Sequence, residues 1–163
     1  MILYHGSYMP VEHPDLSLSR RRTDFGKGFY LTPLKDQAKS WAERFLQKHG
    51  VSYISLYEFL HKAGDKLPAD ARILEFDMHS LEWLEFITAC RLDLRQDDDW
   101  DIVIGGVAND KVFDTIQLYF DRLILAEEAV GRLRYNKTNY QYCFKNQAII
   151  DRYLLYTGAE EMI

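Results

Sequence analysis

The sequence predicts an α+β protein, because short β-prone apolar segments interleave with segments that have the three-and-four spacing of amphipathic helices. The 163 residues are 47% hydrophobic and 14% aromatic, a composition that supports one ordinary core. No internal repeat, low-complexity tract or linker divides the chain. We therefore expect a single α+β domain over residues 1–163.

In the first half of the chain, glycine and proline mark where the predicted elements begin and end. Pro33 opens a helix whose apolar stripe includes Trp41 and Phe45, and Gly50 ends that helix. Residues 57–60 either continue the strand before them or turn into a short helix. The strands are predicted at residues 2–5, 29–31, 51–56 and 73–76, and a polar connection at residues 62–72.

The second half continues the same alternation of strands and helices. Helices are predicted at residues 81–87, 112–120, 126–133 and 148–154. Strands are predicted at residues 101–104 and 140–144, of which the second is the last strand of the chain. The acidic run at residues 97–99 is expected to be a solvated loop.

Overall charge does not identify a partner for this protein, and cysteine usage indicates neither a zinc site nor a disulfide framework. The net charge of −5 gives no overall attraction to nucleic acid or to an anionic membrane, so such a contact would need a local basic patch. The run Arg20, Arg21 and Arg22 is such a patch, and it is typical of either a solvated surface or a phosphate site. Cys90 and Cys143 lie in apolar contexts without metal-ligand spacing, which indicates reduced core thiols and no metal.

The sequence also indicates where the protein resides. No run approaches the roughly 20 apolar residues of a membrane span. The chain begins directly with a strand-like segment, which leaves no room for a signal peptide. We therefore expect a cytoplasmic protein that has no membrane partner.

Residues 24–32, DFGKGFYLT, form the most informative stretch. A polar turn that contains Gly26 and Gly28 leads directly into the apolar Phe29, Tyr30 and Leu31. Because glycine has no Cβ, such a turn lets backbone N–H groups approach a ligand, and the following strand can hold an aromatic ring at the rim. A plain hairpin or β-bulge is the alternative interpretation.

Four positions place a polar side chain beside a glycine break or on a strand, where binding sites tend to form. They are His5, Tyr30, Asp110 and Gln141. Each has a structural alternative, in which His5 only bonds to backbone, Asp110 caps a helix and Gln141 faces solvent. The sequence lacks GxSxG, GxGxxG and GxxxxGK[ST] motifs, which argues against a serine nucleophile and against a Rossmann or P-loop phosphate site.

Four blocks of sequence carry a resemblance that spans most of the chain. They are LYHGS at residues 3–7, DFGKGFYLT with QAKSWA at residues 24–42, DIVIGGVAND at residues 101–110 and YNKTNYQYCF at residues 135–144. Together they resemble an uncharacterised bacterial family of the ADP-ribosyltransferase superfold. The first two blocks resemble the opening elements of its His-Tyr-Glu group, which includes diphtheria toxin and poly-ADP-ribose polymerases.

This resemblance implies a fold and a substrate. The fold would consist of split antiparallel β-sheets with flanking helices, and NAD would lie as substrate in the cleft, without a metal. His5 would hydrogen-bond the adenosine-ribose side of NAD, and Tyr30 would stack on the nicotinamide ring. Gly6 and Gly28, beside them, complete the NAD-binding set that we expect.

The third element departs from the pattern of the group. Where active members carry a glutamate on a late strand, the matching strand here offers Gln141. A carboxylate would support the cation formed as nicotinamide leaves, whereas an amide keeps the hydrogen bond and lacks the charge. Asp110 is the first candidate for a substitute carboxylate, and Asp24 and Glu58 rank behind it.

The resemblance implies an ADP-ribosyltransferase that passes ADP-ribose to a macromolecular acceptor, which would be protein or nucleic acid. Its setting would be that of a bacterial toxin or defence effector neutralised by an antitoxin protein. The alternative is a non-catalytic module that keeps the cleft for NAD, another nucleotide or a protein partner. A structural domain, in which the polar positions are only caps and turns, is the third interpretation.

Overall fold

Strands and helices interleave in the computed structural model, which describes residues 1–60, 67–95, 99–133 and 139–162. The strands are β1 (Ile2–Ser7), β2 (Phe29–Leu31), β3 (Ser52–Phe59), β4 (Ile73–Glu75), β5 (Ile102–Gly106), β6 (Tyr140–Phe144) and β7 (Leu154–Met162). The helices are α1 (Lys35–His49), α2 (Leu81–Arg91), α3 (Asp110–Phe120), α4 (Ala126–Leu133) and α5 (Gln147–Tyr153). The predicted α+β class is confirmed.

The strands form two sheets with different connectivity. The first sheet has the order β1-β3-β7, and its strand pairs are antiparallel. The second sheet has the order β2-β6-β5-β4, in which β4 and β5 pair in parallel. The expectation of antiparallel sheets is therefore wrong at this one pair, because the helix α2 crosses over from β4 to β5 and returns the chain in the same direction.

Side-chain alternation along β5 places the two faces of the second sheet in different cores. Ile102 joins Leu3 of β1 in the apolar cluster between the two sheets. Val103 points the opposite way and joins the cluster covered by α2, α3 and α4. On the first sheet, α1 packs Ala38 against Ile54 of β3. The layers therefore run from α1 through the two sheets to the helices α2–α4.

The end of the chain differs from its prediction. The strand at Tyr140–Phe144 is not the last one, since α5 is followed at once by β7, which pairs along the whole of β3. The prediction failed because β7 is an edge strand whose nine residues are half-buried or exposed and include Gly158 and two glutamates. Such a strand lacks the apolar alternation that identifies a strand in a sequence.

Other boundaries follow the sequence more closely. The first helix begins at Lys35, two residues after the predicted start, and ends as predicted at Gly50, which has a left-handed φ of 74°. Of the two alternatives for residues 57–60, the structure has the continued strand, as far as Phe59. The predicted features at residues 62–66, 97–98 and 135–138 lie outside the described residues. None of the helices in the described part of the chain has the length and apolar character that a membrane crossing needs.

Candidate functional site

The candidate site is a cleft at the point where the two sheets diverge. Tyr4 of β1 and Thr32, just after β2, hold the sheets together through backbone hydrogen bonds of 2.8 and 3.0 Å. Beside this bridge opens a cleft of about 1710 Å³, bounded by the irregular segment after β1, the start of α1 and the loop after β5. His5, Tyr30 and Gln141 all line it. Three separate strands thus bring three of the expected site residues together.

His5 is fixed by the backbone of β2. Its Nδ1 lies 2.8 Å from the carbonyl oxygen of Tyr30, and its ring packs 4.5 Å from the ring of Phe29. Because a carbonyl can only accept, Nδ1 carries the proton and Nε2 holds the lone pair. Burial lowers the pKa of His5, and the bond to Tyr30 opposes this only in part. The imidazole is therefore neutral near pH 7, with Nε2 as an acceptor.

Tyr30 has its hydroxyl tied into the glycine turn. The hydroxyl donates to the Gly26 carbonyl at 2.6 Å, accepts from the Phe25 N–H at 2.9 Å and lies 2.9 Å from the Thr23 hydroxyl. Burial raises the pKa of Tyr30 well above its ordinary value, so the hydroxyl stays protonated. What lines the cleft is therefore a half-buried aromatic ring, which suits stacking and does not suit a general base.

Gln141 is buried, with 3% of its surface exposed, because β6 lies between β2 and β5 in the second sheet. The alternative of a solvent-facing residue is therefore wrong. Its Nε2 donates to Asp24 Oδ2 at 2.9 Å and to the Gly106 carbonyl at 3.1 Å. Both partners are acceptors, so they fix the orientation of the amide and engage both of its hydrogens. The amide can offer its oxygen to a ligand as an acceptor.

Asp24 is a buried carboxylate behind Gln141, with 6% of its surface exposed. Its Oδ1 accepts from Arg91 through Nε at 3.1 Å and through Nη2, and its Oδ2 accepts from the Ala108 N–H at 2.9 Å as well as from Gln141. The glycine turn is thereby joined to α2 and to the loop after β5. The sequence ranked Asp24 behind Asp110, because nothing near Asp24 indicates a partner 67 residues away.

The other two candidate carboxylates are placed differently. Asp110 begins α3, but its side chain lies outside what the structure describes, so its suggested role stays a prediction. The cap of α3 is Asn109, whose side chain accepts from a first-turn N–H at 3.0 Å, and the capping alternative for Asp110 is therefore wrong. Glu58 is exposed and pairs with Ile2, three residues from His5 along β1, or about 10 Å.

The expected glycines have clear packing roles. A Cβ on Gly6 would overlap the Ala38 carbonyl, because α1 crosses β1 there, and a Cβ on Gly28 would overlap the sulfur of Cys143. The residue of the turn that needs the left-handed region is Gly26, with a φ of 75°. Gly6 and Gly28 also line the cleft, so their part in binding NAD stays a prediction.

The cleft thus offers an aromatic face and two neutral acceptors, a set suited to a flat ring with sugar hydroxyl groups. In the residues that the structure describes, no group of three His, Cys, Asp or Glu side chains converges to hold a metal ion.

Fold and site define an α+β protein with a ligand-sized cleft between two β-sheets. The chain belongs to the family described as "Protein of unknown function (DUF3990)", whose model matches residues 1–156. None of the curated proteins and none of the solved structures that were compared matches the chain.

Proposed function

We propose that this protein is an ADP-ribosyltransferase that cleaves NAD and transfers ADP-ribose to a macromolecular acceptor. The observation that carries the proposal is the convergence of His5, Tyr30 and Gln141 on one cleft. In chain order these residues match the His-Tyr-Glu positions of the transferase group that the sequence resembles. The two mostly antiparallel sheets, joined at one edge and split beyond it, agree with the fold expected for that group.

In this reaction the bond between C1′ of the ribose and the pyridinium nitrogen breaks. Its electron pair leaves with nicotinamide, which becomes neutral, and C1′ gains oxocarbenium character, as in glycoside hydrolysis. A nucleophilic group of the acceptor forms the new bond to C1′ and releases its proton to solvent or to a nearby base. Nothing is oxidised or reduced.

His5 and Tyr30 would bind and orient the dinucleotide. Tyr30 would stack on the nicotinamide ring, since its hydroxyl is held inside the turn and its ring lines the cleft. His5 would accept a hydroxyl of the adenosine ribose at Nε2, because Nδ1 already donates to the Tyr30 carbonyl. Both roles need uncharged side chains, in agreement with the directions in which burial shifts their pKa values.

Gln141 would accept a hydroxyl of the nicotinamide ribose through its amide oxygen. Its NH₂ group could turn to the sugar only by giving up its bonds to Asp24 and Gly106. A carboxylate 4 Å from a unit positive charge contributes about 4 kcal/mol at an effective dielectric of 20. A neutral amide lacks this stabilisation of the transition-state cation, and the difference corresponds to roughly a thousandfold in rate.

Asp24 would act through Gln141 as a positioning residue. Its carboxylate fixes the amide and polarises it toward a more negative oxygen, although Arg91 offsets much of the charge. Of the candidate carboxylates whose side chains the structure describes, Asp24 contacts Gln141 and Glu58 does not, and with a neutral amide at Gln141 we expect slow NAD cleavage. A toxin or defence effector restrained by an antitoxin protein is the setting that we propose.

The first test is to incubate the protein with adenine-labelled NAD, with and without a bacterial lysate, and to measure nicotinamide release and label transfer. We expect wild-type activity, and at least a tenfold loss in Tyr30→Ala and in His5→Ala. Glu161→Ala, at an exposed position on β7 that does not line the cleft, is the control and should retain full activity. A folded wild type that neither releases nicotinamide nor transfers label would overturn the proposal.

The second candidate function is a non-catalytic NAD-binding module, favoured by the neutral amide at Gln141. A Gln141→Glu variant alone would place two carboxylates at hydrogen-bond distance, so that one would have to take up a proton. The double variant Asp24→Asn/Gln141→Glu avoids this conflict and keeps the net charge. If the wild type binds NAD without cleaving it and the double variant gains cleavage, the binding module is correct; a wild type that cleaves NAD excludes it.

A further inference from the structure

A second pocket of about 260 Å³ lies against the glycine turn and shares Leu16, Ser19 and Arg22 with the cleft. Its described lining includes five cationic side chains, Arg21, Arg22, Lys27, Arg95 and Lys145, and one acidic side chain, Asp93. The described lining is therefore positively charged, although the chain as a whole has a net charge of −5. We propose that this basic pocket binds phosphate groups of a nucleic-acid strand next to the cleft.

Two of the cations have contacts in the described residues that fix their positions. The ammonium group of Lys145 donates to the carbonyls of Phe25 and Lys27, which fixes it against the back of the turn. The guanidinium of Arg95 lies 4.4 Å from the centre of the Phe86 ring. Its Nε is buried and has no hydrogen-bond partner among the described residues, so an anion would have to approach the guanidinium from its terminal nitrogens.

Arg22 connects the basic pocket to the cleft. It lines both cavities, and its backbone is left-handed, with a φ of 58°, which is uncommon for a residue other than glycine. Such backbone strain is concentrated at functional sites. Arg20 lines the cleft and Arg21 lines the pocket, so the triplet distributes its charges over a strip that spans both cavities.

The distribution of these cations over two cavities favours a polymer of phosphates over a single anion. A nucleic-acid strand carries one phosphate per nucleotide, and its affinity comes largely from the counterions that successive cations release. Arginine also matches phosphate through its paired N–H donors. One phosphorylated side chain would fill the pocket and leave the cations at the cleft unused. Binding of the strand is independent of NAD; only its use as the ADP-ribose acceptor rests on the proposed function.

The test is fluorescence anisotropy of a labelled single-stranded oligonucleotide with the full chain, without NAD, at several salt concentrations. The variant Arg21→Gln/Lys27→Gln should bind at least tenfold more weakly. Its plot of log affinity against log salt should have a slope smaller by about 1.4, since each lost contact to a single strand removes about 0.7. Lys39→Gln/Lys111→Gln is the matched control, because it removes the same charge from exposed positions on α1 and α3, and it should change affinity less than twofold.

Three results would overturn the proposal: no binding by the wild type, equal losses in the pocket and control variants, or displacement of the strand by a monophosphorylated peptide at equal phosphate concentration. Thermal melting checks that both variants fold, which we expect because all four replaced side chains are exposed. NAD hydrolysis without an acceptor should be the same in the pocket variant and the wild type. If the protein binds the strand but does not cleave NAD, the proposed function is refuted and the proposal that the pocket binds phosphate groups stands.

Discussion

Replacing Asp24 with asparagine tests whether the buried carboxylate organises the cleft. Both of its oxygens now accept hydrogen bonds, Oδ1 from Arg91 and Oδ2 from the Ala108 N–H and Gln141. Asparagine has only one acceptor oxygen, so its NH₂ group must face either the guanidinium or the amide. Arg91 loses its counter-charge in both arrangements, and the first also takes away its hydrogen-bond acceptor. The second turns the Gln141 amide, which then presents NH₂ where the proposed mechanism needs an acceptor.

The expected loss of stability follows from the burial of the ion pair. Removing one partner of a buried pair costs about 3–5 kcal/mol. The Arg91 side chain is 22% exposed and lies 5.0 Å from the centre of the Phe113 ring, so it keeps some compensation. We therefore expect a loss of about 3 kcal/mol, which leaves a domain of ordinary stability folded. NAD cleavage should fall about tenfold to a hundredfold, equivalent to roughly 1.4–2.7 kcal/mol in the barrier.

Urea unfolding and nicotinamide release measure these two effects separately. The control is Asp101→Asn, since Asp101 is a buried carboxylate paired with Arg72 at the opposite end of β5 from the cleft. It should lose stability and keep activity. If Asp24→Asn unfolds within about 0.5 kcal/mol of the wild type and binds and cleaves NAD equally well, the carboxylate does not have the role inferred here.

A Cβ on Gly6 would overlap backbone, so Gly6→Ala should lower the free energy of unfolding, measured in urea, by about 2–3 kcal/mol. Gly131→Ala, in α4 with open space around it, should instead raise the free energy of unfolding by up to about 1 kcal/mol. Equal effects of the two substitutions would contradict the packing explanation. Hydrogen bonds from Arg72 hold the pKa of Asp101 at about 2, against an ordinary value of 3.8. A carboxyl group whose pKa is lowered in the folded state stabilises the fold when the pH is above its ordinary pKa. This stabilisation is lost as the pH falls toward the folded-state pKa. After allowance for the half-exposed arginine, an acid titration should therefore show a loss of about 1–2 kcal/mol between pH 4 and pH 2, and Asp101→Asn should lack this step. Burial lowers the pKa of His5, so NAD affinity measured by calorimetry should stay constant from pH 8 to pH 6.5. A loss of NAD affinity with its midpoint at or above pH 6.5 would refute the assignment of His5 as a neutral acceptor.

Local patterns in the sequence predicted most elements because backbone conformation and the periodicity of burial are set by near neighbours. The first helix ends at Gly50 because glycine adopts the left-handed φ there, and a sequence shows this directly. The edge strand β7 was missed because an edge strand needs no continuous apolar face. The parallel pairing of β4 with β5 depends on how the chain crosses over, and strand patterns alone do not specify that.

The sequence by itself determined that His5 lies on an early strand and that Tyr30 follows a glycine turn, and the resemblance built on these motifs suggested that they share a site. The tertiary structure decided which group supports Gln141. Asp24 lies 117 residues from Gln141 and 67 from Arg91 along the chain, yet the three side chains meet in one buried hydrogen-bonded cluster. A buried polar group must find its partners wherever the fold brings them, and for residues this far apart the path of the whole chain makes that choice.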